Sequence, residues 1–258
     1  MRKKLFIILV LILFESWNLY SQISHGGTPL SFNQPSLKSL AVFYTPSFDY
    51  QKMLQEDQQV GRAKPFRYGK NHEVNLNPEN SGSWNNLADG NKVWQLRINS
   101  SGAYSIGLIF NIYRLEGSAR VFIYSSDRKN IIGSFTKENN KKNGWFSTAP
   151  VSGDDIIIEL NVPEGQDYGQ LNLSGIVHDY KNVLGLKTGF NSSGECNVNI
   201  NCPDGADWQN EKRAVVKYNY TSGSSSYLCT GSLINNTAKD GKPYLLTAEH
   251  CINTLSEA

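Results

Sequence analysis

Apolar and polar side chains alternate along much of the middle of this chain. Trp94, Leu96 and Ile98 alternate with Gln95, Arg97 and Asn99. Ile106, Leu108, Phe110 and Ile112 share one side of a second run, and Ile156, Ile158, Leu160 and Val162 alternate with Asp155, Ile157, Glu159 and Asn161. A short apolar stretch over 121–124 ends at Ser-Ser-Asp. A period of two is that of a strand with one buried and one solvated face. Turn formers separate these runs at Asp89-Gly90, Glu116-Gly117, Asn143-Gly144, Ser152-Gly153 and Pro163-Glu-Gly. The pattern predicts a mostly β chain with an antiparallel β-sandwich over residues 81–187. The polar run 137–143 reads as a solvated loop.

The flanks differ. Residues 22–80 read as irregular, with His25-Gly-Gly-Thr-Pro and Asn33-Gln-Pro as breakers. A short helix is expected over 50–60, and extended chain returns at Pro65-Phe-Arg-Tyr-Gly. Behind the sandwich, an apolar strand carries Cys229, a polar loop spans 235–243, and a second apolar strand, 244–247, leads through Ala248 to His250 and Cys251. The strand fixes the backbone, the small Ala248 lets the chain turn, and a Cys229–Cys251 disulfide would staple that turn to the neighbouring strand. A general base needs such rigidity, because its nitrogen must stay within hydrogen-bond reach of the proton it takes.

The first residues change the compartment in which all this is read. Met1-Arg-Lys-Lys is cationic, and residues 5–14 are ten apolar residues closed by Glu15. The run is short for a membrane span and suits the apolar centre of a signal peptide over 1–21, cut after Ser21. An exported chain meets oxidising conditions, so its four cysteines, Cys196, Cys202, Cys229 and Cys251, read as disulfide formers. Four cysteines allow three pairings; closing Cys229 to Cys251 is worth roughly 3 kcal/mol by loop entropy. Their spacings fit no usual zinc pattern.

Composition adds limits. A formal charge of +2 on 258 residues argues for neither nucleic acid nor an anionic membrane as partner. No 20–50-residue repeat and no phosphate-cradling glycine loop appears, and no cofactor or metal is implied. His72-Glu73 is not followed by a second zinc-ligand His. His25, His72 and His178 lack partners at useful spacing.

The C-terminal motifs resemble a family. Cys-x-Gly-Ser-Leu-Ile followed by Leu-Thr-Ala-x-His-Cys is similar to the first half of a chymotrypsin-like serine protease. Ser193-Gly-Glu-Cys-Asn, Cys202-Pro-Asp-Gly, Arg213-Ala-Val and Cys229-Thr-Gly-Ser-Leu-Ile-Asn-Asn-Thr resemble the start of a bacterial lysyl endopeptidase. Leu54-x-Glu-Asp and Pro65-x-Arg-Tyr-Gly resemble the leading part of its pro-region. The resemblance implies that residues 188–258 begin a double β-barrel in which His250 is the catalytic histidine. It also implies that Cys196 and Cys202 pair with cysteines further along, and that the sandwich is a pro-domain partnering the protease.

Protein or peptide substrates, export to the medium or cell surface, and cleavage after lysine follow from the same likeness. Lys187, in the polar linker Leu-Lys-Thr-Gly-Phe-Asn-Ser-Ser-Gly, is then the candidate processing point. Serine-protease chemistry also needs an Asp and a Ser after the His in this chain order. Eight residues, 251–258, follow His250; Ser256 is too close to be the nucleophile, and Asn191-Ser-Ser-Gly lies on the wrong side. The expectation is a precursor cut short and inactive as written. The competing expectation is a secreted β-sandwich adhesion or carbohydrate-binding protein carrying a degenerate protease remnant.

Overall fold

The computed structural model describes residues 24–34, 40–59, 65–185 and 200–251. The chain is mostly β, and two sheets organise the described residues. The first contains β1 (Val42–Tyr44), β3 (Ser83–Asn86), β4 (Lys92–Asn99), β6 (Arg120–Ser125), β7 (Ile131–Phe135) and β10 (Asp155–Val162). Its order is β1-β4-β10-β6-β7, with β3 also on β4, and only the β1–β4 pair is parallel. The second contains β2 (Phe66–Leu76), β5 (Ser105–Leu115), β8 (Phe146–Ser147), β9 (Val151–Ser152), β11 (Gly169–Asp179), β12 (Val215–Ser222), β13 (Ser225–Ile234) and β14 (Tyr244–Thr247). It runs β12-β13-β2-β11-β5-β8, with β14 on β13 and β9 on β5.

The two inner faces meet in one core. Trp94, Leu96, Ile98, Ile156, Ile158 and Leu160 of the first sheet pack on Ile106, Leu108, Phe110, Leu171, Leu173 and Ile176 of the second. Burying such side chains is worth about 1.5–3 kcal/mol each before chain entropy is set against it. Trp94 is buried with its polar edge satisfied, the indole N–H donating to the Ser81 carbonyl at 2.7 Å.

Two departures from the alternation have local causes. The face expected through Ile112 breaks after Phe110. Phe110 and Ile112 oppose Leu173 and Asn172, so Asn111 is an extra residue, a bulge. Beyond it the buried positions become Tyr113 and Leu115, while Ile112 is exposed. On β10, Ile157, Glu159 and Asn161 are buried as well as their alternates. The segment before β1 covers that outer face: a 3-10 turn, Leu30–Asn33, brings Ser31 N and Oγ to donate to the Glu159 carboxylate. Gln95 Nε2, Tyr124 OH and Asn161 Nδ2 donate to it too, at 3.0, 2.7 and 2.7 Å.

The stretch before residue 80 is also less irregular than its breakers imply. A helix, α1 (Tyr50–Gln59), forms there, and β2 is an eleven-residue strand between β11 and β13. β2 escapes the period-two search because its positions include Lys70 and His72 rather than a clean apolar row. It is clamped to α1 by charge. Arg67 donates to Asp57 at 2.7 Å, to Glu56 at 2.9 Å and to the Met53 carbonyl at 3.0 Å. Lys181 and Tyr180 reach Asp57 at 2.7 and 2.9 Å. Burial alone would raise the Asp57 pKa, but the bonds from Lys181, Tyr180 and Arg67 outweigh it and hold the carboxyl below its ordinary range. Of these, Glu56 and Asp57 belong to the Leu-x-Glu-Asp motif and Arg67 to Pro-x-Arg-Tyr-Gly.

Candidate active site

Three antiparallel strands place the candidate histidine. β12 and β13 are joined by a tight turn at Gly223, whose φ of 54° lies in the left-handed region. β14 lies on the other edge of β13, with Gly231 opposite Thr247. After Thr247 the chain turns into a short 3-10 segment, Glu249–Cys251, closed by the Cys251 N–H donating to the Ala248 carbonyl at 3.0 Å. Cys251 is joined to Cys229 by a disulfide, with the two Cα atoms 6.1 Å apart. Both cysteines are buried, whereas His250 between them and β14 is exposed. The fold thus holds the backbone on either side of the imidazole and leaves the ring open to solvent.

An imidazole ring nitrogen and both sulfurs lie within 4.8 Å of one another. The sulfurs are spent in the disulfide, so this trio is not a thiolate metal site. Cys202 is an exposed free thiol just ahead of a 3-10 segment, Pro203–Trp208, and α2 (Gln209–Ala214). Cys196, Lys187, the Asn191-Ser-Ser-Gly turn and Ser256 lie outside the described residues.

Sequence reasoning missed two groups. The first flanks His250 on the strand side. Thr247 Oγ1 donates to the Thr230 carbonyl at 2.8 Å and lies 2.8 Å from Tyr218 OH. Its single proton is committed to Thr230, so the phenol donates to it. Thr247 and Gly231 lie inside the C-terminal motifs, but nothing in the sequence marks Tyr218, because its reach across β13 depends on strand register. The second group is a pair of buried histidines at one end of the sandwich. His72 on β2 and His178 on β11 have ring centroids 6.4 Å apart, and Phe48 packs edge-on against both at 5.5 and 4.8 Å. His178 Nδ1 shares a 2.8 Å hydrogen bond with Ser100 Oγ. Ser100 is fully buried, so this Ser–His contact is structural rather than nucleophilic. Burial, then the neighbouring His72, lowers the His178 pKa to about 4 against a smaller opposing pull from Asp154. Burial, then Lys70, lowers that of His72.

β13 also joins the C-terminal strands to the sandwich. Ser225 opposes Lys70, Ser226 opposes Gly69, and Tyr227 opposes Arg67. The Asn71 N–H donates to the Ser224 carbonyl at 2.9 Å, and Asn219 Nδ2 donates to Tyr68 OH at 3.2 Å.

Comparison with known proteins matches both parts. The family model described as the lysyl endopeptidase N-terminal domain covers residues 44–175, which takes in α1 and β2 as well as the sandwich. The lysyl endopeptidase C-terminal domain covers residues 190–258. A curated lysyl endopeptidase of Pseudomonas aeruginosa is 27% identical over 187 residues, covering 68% of this chain and 40% of the relative. The chain therefore spans well under two thirds of that relative's length.

Proposed function

The chain belongs to the lysyl endopeptidase family, and on that premise we propose that His250 is the general base of a secreted serine endopeptidase. The observation that carries this reading is the exposed imidazole whose backbone is tied on both sides, by the Cys229–Cys251 disulfide and by β14. In the reaction His250 removes the serine proton as the hydroxyl attacks the scissile carbonyl. It then returns that proton to the leaving amine. The order His, Asp, Ser places the acid and nucleophile after His250 in the chain. Cleavage after lysine is proposed from the relative's name. The substrates are proteins or peptides.

Residues 22–187 are proposed to act as the pro-region and pro-domain, holding the first protease strands through the β2–β13 pairing until the precursor is cut. Lys187 is the proposed cut. N-terminal sequencing of secreted material should then begin at Thr188, and a start well away from it overturns that assignment. Export is supported by the cationic, then apolar, N-terminus and by the disulfide. No helix among the described residues is long and apolar enough to cross a membrane.

The test is hydrolysis of lysyl peptides by the protein expressed from its gene in full. His250→Ala should lower turnover by roughly four to six orders of magnitude. Unchanged turnover in that variant overturns the reading.

A further inference from the structure

The disulfide secures the chain after His250, at Cys251. What secures it before His250 is a different set of contacts. The last residue of β14, Thr247, points to the same face of the sheet as its register partner Gly231, and so does Cys229, two positions before Gly231 on β13. Tyr218 on β12 lies directly opposite Cys229. Its phenol crosses β13 from one edge strand to the other and ends 2.8 Å from Thr247 Oγ1. Gly231 is the strand residue beside this crossing, and β14 packs closely on it; a Cβ there would sit 2.8 Å from both Leu245 Cδ1 and the Leu246 carbonyl oxygen. The Thr247 hydroxyl meanwhile donates to Thr230 O at 2.8 Å. The result is a relay, Tyr218 O–H to Thr247 O–H to Thr230 carbonyl, which binds three strands together one residue before the turn that carries the imidazole.

Resting on the proposed role of His250, we infer that Tyr218 and Thr247 are positioning residues for that base. Neither touches substrate. They fix the direction in which β14 delivers Ala248, Glu249 and His250, as the disulfide fixes the exit. A proton transfer needs a heavy-atom separation of about 2.6–3.2 Å, so a small drift of the β14 end removes it from reach without loosening substrate binding.

The experiment compares Tyr218→Phe, Thr247→Val and Thr247→Ser in the precursor expressed from its gene in full, with His250→Ala alongside. Rates on a lysyl peptide are normalised to active sites titrated with a fluorophosphonate, and for His250→Ala, which cannot activate the serine toward that reagent, to the amount of folded protein. Tyr218→Phe and Thr247→Val should lower kcat roughly ten- to a hundredfold with KM within about twofold, and Thr247→Ser, which keeps the hydroxyl, should restore it. Amide exchange at residues 248–251 should quicken in the first two variants only. Three results overturn the inference: unchanged kcat in Tyr218→Phe and Thr247→Val; a Thr247→Ser loss as large as that of Thr247→Val; or a fall in thermal midpoint large enough to account for the lost rate. If His250→Ala itself leaves turnover intact, the general-base reading fails, and this inference with it. If His250→Ala abolishes turnover while the hydroxyl variants do not change it, only the positioning inference fails.

Discussion

His72 and His178 show how a single pair of side chains sets a pH limit on the sandwich. Both are buried, both rings face Phe48, and His72 Nε2 has no hydrogen-bond partner. Lys70 and Asp154 are the charged groups acting on them, and on balance the environment disfavours a proton on either ring. In the unfolded chain a histidine titrates near 6.5. The folded His178 value is about 4, so the unfolded state binds more protons between these limits. Stability is therefore complete above about pH 6.5 and falls as pH drops toward 4, by on the order of 2 kcal/mol for this residue once solvent screening trims the shift. Asp57, whose pKa is also held down, adds a loss of the same sign as pH falls. Denaturant unfolding of the precursor at pH 7 and pH 4.5 should show the decline, and His178→Gln should flatten it; an equally steep decline in the variant would remove His178 as its cause. None of this was legible from the sequence. The two histidines are 106 positions apart, and only the register that sets Ile176 against His72 brings them together. His250 differs because its evidence is local: strand, small residue, His and Cys follow one another directly.

At the scale of elements, what was legible is what repeats with a short period. β4, β10 and the first part of β5 announce themselves by alternation, and α1 by its polar, breaker-free stretch. β2 does not, because a strand flanked on both edges and clamped by ion pairs can carry Arg67, Lys70 and His72 without an apolar row. The clamp gives a prediction. Arg67 joins α1 to β2 through Asp57, Glu56 and the Met53 carbonyl, and it is mostly buried. Arg67→Ala leaves Asp57 bonded only to Lys181 and Tyr180, and should cost about 2–4 kcal/mol, with part of that loss in lost packing of the arginine stem. Limited proteolysis should then cut first within residues 50–59. Equal resistance of the variant and the parent would show that α1 is held by other means. The β10 outer face is a second case. Its Glu159 looks solvated by period, yet five donors converge on it: two from Ser31, 128 residues away, and one each from Gln95, Tyr124 and Asn161, and the alternation within β10 does not record that.

For the whole molecule the deciding feature is that one sheet crosses from the sandwich into the C-terminal strands. β13 lies against β12 over residues 225–232, while its other edge is shared by β2 over residues 225–228 and β14 over residues 231–234. The residues that hold the turn before His250 are thus continuous, through hydrogen bonds, with the strand that carries His72. Gly69 sits at this seam. A Cβ there would fall 2.8 Å from Val177 Cγ1, 3.2 Å from the His178 carbonyl oxygen and 3.3 Å from the Ser226 Cβ. Gly69→Val must therefore push β2 away from β11, from β13, or from both. If the sandwich templates the protease strands, the variant should reduce the amount of folded, exported enzyme several-fold, speed amide exchange over residues 225–228, and leave kcat per titrated active site unchanged. Gly107→Ala is the matched control. It faces the same Val177 from β5, where a Cβ would meet it at 3.5 Å, an ordinary contact, and it lies away from β13. Normal export of Gly69→Val with unaltered exchange in β13 would mean that the strands reach their pairing without β2. A drop in kcat per site would instead mean that the seam still shapes the active site after the chain is cut.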